Sequence, residues 1–156
     1  MYTYQKTLLY ACRSIKESIR ECEKIIEFSA YNSKYSSESC LLIANRILEI
    51  VEEKTKLIKL KNTLGNIIKN FTPEEKKLFA YKYLGVKKTF EFSTRQYFRN
   101  QDKLLKNFAS TLRVFGLTEE VFKREYLPIP YIKSIYNVVK SKDLSIEKRF
   151  KKRTIA

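Results

Sequence analysis

Along residues 4–30 apolar side chains return every three or four positions, at Leu8, Cys12, Ile15, Ile19, Cys22 and Ile26. This 4-3-4-3-4 spacing predicts one helix whose seam packs on a partner helix. The faces between carry Arg13, Lys16, Glu17, Arg20, Glu21, Glu23 and Lys24. The run Tyr31-Asn32-Ser33-Lys34-Tyr35-Ser36-Ser37 interrupts the period with turn and capping residues. A second periodic stretch, from about Ser37 to Asn70, has the seam Ile43, Ile47, Ile50, Lys54, Leu57, Lys61, Leu64 and Ile68. Its two Lys stems can pack while their heads reach water. At about 1.5 Å per residue this helix spans on the order of 50 Å and outruns the first. Gly65 invites a break, because an interior Gly costs roughly 1 kcal/mol against Ala. Two helices joined by a short loop predict an antiparallel hairpin over residues 1–70.

The pattern then changes to short elements with explicit start signals. In Phe71-Thr72-Pro73-Glu74-Glu75, Thr72 suits the N-cap, Pro73 the first helical position, and the two Glu the positive helix end. The predicted helix 73–84 buries Leu78, Phe79, Leu84 and one of Tyr81 and Tyr83, and Gly85 stops it. Residues 86–92 form a connector. Ser93 is the N-cap of a helix over 94–115, closed by Gly116. Thr118, Glu119 and Glu120 open another short helix over 118–126, which Leu127-Pro128-Ile129-Pro130 ends. A helix over about 130–141 follows. Residues 144–156, with Lys148-Arg149-Phe150-Lys151-Lys152-Arg153, read as a flexible basic tail.

Composition narrows the fold class. A chain of 156 residues is the size of one domain, or one domain with an appendage. Three Gly and three Pro cannot supply the turns of a β-sandwich or barrel, so the expected class is all-α. The expected architecture is the N-terminal antiparallel hairpin followed by a compact basic helical module over 71–143. The absence of His excludes His-based catalysis and most zinc sites. Asp occurs only at Asp102 and Asp143, against a paired-Asp metal site. Cys12, Cys22 and Cys40 have no CxxC spacing and read as small hydrophobes in a reducing cytosol, giving a cytoplasmic expectation. Arg13, Lys16 and Glu17 interrupt the only early apolar run, so no signal peptide is expected, and no apolar stretch is long enough to span a membrane.

Charge points to a partner. Thirty-two Lys and Arg against 17 Asp and Glu give a net charge of +15, which attracts polyanions, nucleic acid first. A Lys-rich proteome background is the alternative source of that charge. Residues 1–70 are net +4, 71–116 net +6 and 117–156 net +5, so the excess lies in the C-terminal part.

The candidate recognition element is the helix opening at Ser93. Its predicted apolar face runs Phe98, Gln101, Leu105, Phe108, Leu112 and Phe115, with Tyr97, Leu104 and Ala109 beside it. The opposite stripe carries Arg95, Gln96, Arg99, Asn100, Lys103 and Lys106. Arg can bind guanine edges, Asn and Gln can bind adenine edges, and Lys neutralises phosphate. Free N–H groups at Ser93 and Thr94 can take a phosphate. Lys87 and Lys88 extend the basic set, interleaved with Phe90, Phe92, Tyr97 and Phe98. Such interleaving can stack unpaired bases, but it equally suits rings of a small core, with Phe92 and Phe98 as a staple around the helix start. Glu52-Glu53 and Glu119-Glu120 point about 100° apart on a helix and make no acid–base pair. Neither a GxxxxGK[ST] nor a GxGxxG motif occurs. No catalytic residue, metal site or cofactor is therefore expected, and the protein is not expected to be an enzyme.

The stretch FTPEEKKLFAYKYLGVKKTFEFSTRQYFRNQDKLLKNFASTLRVFGL, residues 71–117, resembles the helix-turn-helix region that closes bacterial sigma factors and sigma-like phage transcription regulators. The likeness rests on Thr72-Pro73-Glu74-Glu75, Tyr83, Ser93, Tyr97, Arg99 and the Leu104/Leu105–Phe108 pair. It implies that Thr94, Arg95, Gln96, Arg99 and Lys103 meet the major groove or its phosphates. It also implies that the hairpin contacts RNA polymerase or another protein, or forms a homodimer. The expected function is a non-catalytic DNA-binding transcription regulator of phage or mobile-element type. Two alternatives stay open: an RNA-binding or ribosome-associated protein, and a helical adaptor for an acidic protein with no nucleic-acid role.

Overall fold

The computed structural model describes residues 2–32, 39–86 and 93–155. Among them the chain is all-helical, with no strand. The helices are α1 (Thr3–Ala11), α2 (Ile15–Asn32), α3 (Cys40–Lys69), α4 (Pro73–Lys82), α5 (Thr94–Val114), α6 (Glu119–Val121) and α7 (Pro130–Ile155), with a π-helical turn at Phe122–Tyr126 between the last two.

The first predicted helix is two. The chain bends at residues 12–14, where Arg13 N–H donates to the Tyr10 carbonyl at 3.4 Å and Ser14 N–H to the Ala11 carbonyl at 3.3 Å. The Tyr131 hydroxyl of α7 also donates to the Ala11 carbonyl, at 2.8 Å. Its single proton is thereby used, so it accepts from the Ser14 hydroxyl at 2.8 Å. Tyr131 thus serves as a tertiary cap on an acceptor that the bend exposes. The bend separates two packings: α1 lies on α7, and α2 lies along α3. The expected seam survives it, because Leu8, Ile15, Ile19 and Cys22 are all buried.

Helix α3 runs through Gly65 without a break. Its early seam, with Ile43 buried and Ile47 and Ile50 half-buried, runs along α2, where Glu23 and Lys54 pair at 3.3 Å. Farther on the buried stripe widens to Leu57, Leu60, Leu64 and Ile67, as the helix enters the main core. Phe71 follows and packs edge-on against Phe79 at 6.0 Å and Phe108 at 6.4 Å, locking the end of α3 to α4 and α5. At α4 the Thr72 hydroxyl accepts from Glu75 N–H at 3.2 Å, with Pro73 in the first turn.

The C-terminal end of α5 closes with Gly116 at φ +74°. Gly116 N–H bonds the Arg113 carbonyl at 3.1 Å and Leu117 N–H the Leu112 carbonyl at 2.9 Å, a Schellman turn that buries Leu117. The π-turn then places Phe122 and Tyr126 in the core, and Phe122 meets Tyr4 at 5.7 Å and Tyr136 at 5.9 Å.

Helix α7 does not end near 141. It continues to Ile155, so the segment read as a tail from residue 144 is the last part of a helix. No Gly or Pro follows Pro130 to stop it.

Candidate nucleic-acid interface

Ser93 caps α5, its hydroxyl accepting from Gln96 N–H at 3.3 Å. Leu104, Phe108 and Leu112 are buried and define the inward face, with Tyr97, Gln101, Leu105 and Thr111 half-buried around them. Asn107 Nδ2 donates to Glu75 Oε2 at 2.9 Å and fixes α5 against the first turn of α4.

This inward face keeps Phe108 and Leu112 of the expected one and is turned only slightly, toward Tyr97 and Leu104. Phe98, expected in the apolar face, is 59% exposed, and Phe115 is also exposed. Tyr97 takes the inward place, edge-on to Tyr81 at 6.3 Å, and burial raises its phenol pKa, with Tyr81 and Tyr10 adding to the effect. Leu104 is buried and Leu105 only half-buried.

The outward stripe survives the rotation for most of its members. Ser93, Thr94, Arg95, Gln96, Arg99, Lys103 and Lys106 are exposed, whereas Asn100 is half-buried at the edge. Arg113 is exposed too and continues the stripe. Its signal was present in the chain, since Arg99, Lys106 and Arg113 stand seven apart, about two helical turns each. Arg95, Arg99, Lys103, Lys106 and Arg113 make no ion pair among the described residues. One acid, Asp102, lies exposed at the stripe's margin. Lys87 and Lys88, with Phe90 and Phe92, lie outside the described residues.

The helix thus presents a row of exposed cations, without an ion pair among the described residues, backed by a packed core. The row can neutralise consecutive phosphates, and its N-terminal members Arg95, Gln96 and Arg99 have side chains suited to base edges.

Elsewhere, burial shifts several ionisable groups. Burial pushes the Cys12 thiol up to about 12 and also raises Cys22. Glu53 is raised, by burial first and then by Glu49. No cluster of three or more His, Cys, Asp or Glu that could hold a metal ion occurs among the described residues. No described helix is long and apolar enough to cross a membrane. No family model, curated protein or solved structure matches the chain.

Proposed function

We propose that the protein binds nucleic acid, duplex DNA before RNA, through the outward face of α5, and acts without catalysis as a transcription regulator of the sigma-like type. The observation that carries this reading is the stripe Arg95–Arg99–Lys103–Lys106–Arg113, exposed along one side of a helix whose other side is core, with no ion pair made to any of the five among the described residues. Exposed cations with no ion pair among the described residues, in a chain of net charge +15, favour a polyanion. The resemblance over 71–117 supports duplex DNA as that polyanion and RNA polymerase as a partner of the N-terminal helices.

Fluorescence anisotropy with labelled random duplex, single-stranded DNA and hairpin RNA, each across about 50–300 mM salt, tests it. Duplex binding with a log–log slope near −0.9 per phosphate contact supports the reading. Tighter binding to hairpin RNA replaces it with the RNA-binding one. No binding to any of the three above about 100 mM salt removes it.

A second reading, a helical adaptor or self-associating arm, is favoured by the other side of α3. Leu41, Ala44, Leu48, Val51, Thr55 and Ile58 follow a 3-4-3-4-3 spacing and are all exposed. This is a heptad seam with no partner helix among the described residues. Phe28 and Tyr31 on α2 are each 69% exposed nearby in sequence. Residues 21–53 carry seven Glu and three basic side chains, so this arm is net −4 while the whole chain is +15. Sedimentation of the full chain decides it: a concentration-dependent dimer that Leu48→Asp abolishes supports self-association through this seam.

A further inference from the structure

We propose that the groove where α1, α4, α5 and α7 meet binds an amphiphilic carboxylate, an aliphatic chain ended by one negatively charged head. The groove encloses about 480 Å³. That lies within the roughly 300–1,000 Å³ of small-molecule sites. Its walls are aliphatic: Leu105 from α5, and Ile135, Val138, Val139 and Ile146 from α7. Val138 and Ile146 stand 55% and 49% exposed, although they line a concave surface that an apolar chain would fill.

Cations gather on the same groove. Among the described residues, Lys6, Lys82 and Lys142 line it with a single carboxylate, Asp143. That carboxylate is already taken, because Lys6 Nζ donates to its Oδ1 at 2.9 Å and the Thr3 hydroxyl to its Oδ2 at 3.4 Å. Lys82 and Lys142 are left without an anionic partner among the described residues. Lys82 is half-buried with its Nζ 5.4 Å from the Tyr83 ring centroid. Burial, and then the neighbouring charge of Lys6, lower its pKa. A cation drawn partly out of water beside another cation lacks what normally stabilises it, and a carboxylate supplies that. Tyr10, Tyr83 and Gln101 line the groove as uncharged donors. Burial raises the Tyr83 phenol pKa, so the hydroxyl keeps its proton. An inorganic anion would leave the aliphatic walls wet. A neutral hydrocarbon would leave Lys82 and Lys142 unpaired. A fatty carboxylate meets both demands.

Isothermal titration of the full chain with octanoate, decanoate and dodecanoate reads this directly. The expected result is one site whose Kd falls by about fourfold per added methylene. Decylammonium should not bind. Lys82→Gln and Lys142→Gln should each weaken decanoate by about tenfold or more with helical content unchanged by circular dichroism. Lys24→Gln, on α2 and away from the groove, should leave the affinity as it is. Absence of binding by all three carboxylates overturns the proposal. So does decylammonium binding as well as decanoate, or full affinity in both groove variants. The readout needs no nucleic acid, so it stands or falls apart from the function proposed for α5.

Discussion

Lys6 and Asp143 meet at 2.9 Å although 137 positions separate them. Through this pair the first helix is joined to the last. Tyr131, which reaches the Ala11 carbonyl at 2.8 Å, makes a second join at the other end of α1. Both lie on the α1–α7 contact, which turns a chain of successive helices into a closed body.

The pair should couple measurably. Both side chains are about a third exposed, at 32% and 28%, so the surrounding water weakens their attraction. A double-mutant cycle with Lys6→Ala and Asp143→Ala, followed by urea unfolding, should give a coupling of about 0.5–1 kcal/mol. A coupling of zero would mean that α1 is held by its apolar face alone.

Two phenylalanines ten positions apart should behave in opposite ways. Phe108 is fully buried against Phe71, and Phe98 is 59% exposed. Phe108→Ala should cost about 3–5 kcal/mol through lost burial and the cavity it leaves. Phe98→Ala should stay within about 0.5 kcal/mol. Equal losses would return Phe98 to the core.

The glycines should also part company. Gly65 is helical, and a methyl group added there meets nothing within 4 Å. Gly65→Ala should therefore stabilise by about 0.5–1 kcal/mol. Gly116 has equal space but φ +74°. Gly116→Ala should destabilise by about 1–2 kcal/mol from backbone strain alone. Urea midpoints of the two variants, on opposite sides of the parent, check both.

On α5, Arg95 and Arg99 are exposed and make no ion pair among the described residues. The double change Arg95→Ala and Arg99→Ala should flatten the duplex salt slope by about 1.8, two contacts' worth. The melting temperature should move by no more than about 2 °C, as for surface substitutions. Unchanged duplex affinity would remove these residues from the interface.

Stability should fall on the alkaline side. The Cys12 thiol is raised from 9.0 to about 12 by burial. Between those values the unfolded chain has lost the proton that the folded chain keeps, so fewer protons are bound when unfolded and stability decreases as pH rises. Its loss is at most about 1.4 kcal/mol per pH unit. Cys12→Ala should lessen the slope of unfolding free energy against pH above 9.0 while adding an offset that pH does not change. Parallel slopes in parent and variant would show that the thiol is not shielded.

What the chain determined by itself is what depends on neighbours in sequence. Thr72-Pro73-Glu74-Glu75 starts a helix because a hydroxyl, a fixed φ and two carboxylates suit a helix N-terminus wherever it sits. Ser93 and Gly116 bound α5 for equally local reasons. The all-helical class follows from periodicity and from scarce Gly and Pro. The stripe Arg95, Arg99, Lys103 and Lys106 was legible because helix geometry alone puts those positions on one side.

The tertiary structure decided which side is inside. Periodicity leaves the edges of the buried sector open, and only the packing of Leu104, Phe108 and Leu112 sends Tyr97 inward and Phe98 outward, while Phe115, at the C-cap past the last turn, lies exposed. The bend at residues 12–14 lies within an unbroken heptad pattern; it arises because α1 packs on α7 while α2 packs on α3, and Tyr131 accommodates it. The lysines around Asp143 come from α1, α4 and α7, and no local pattern joins them. Burial, ion pairing and a groove belong to segments far apart along the chain, which folding alone brings to within a few ångströms of each other.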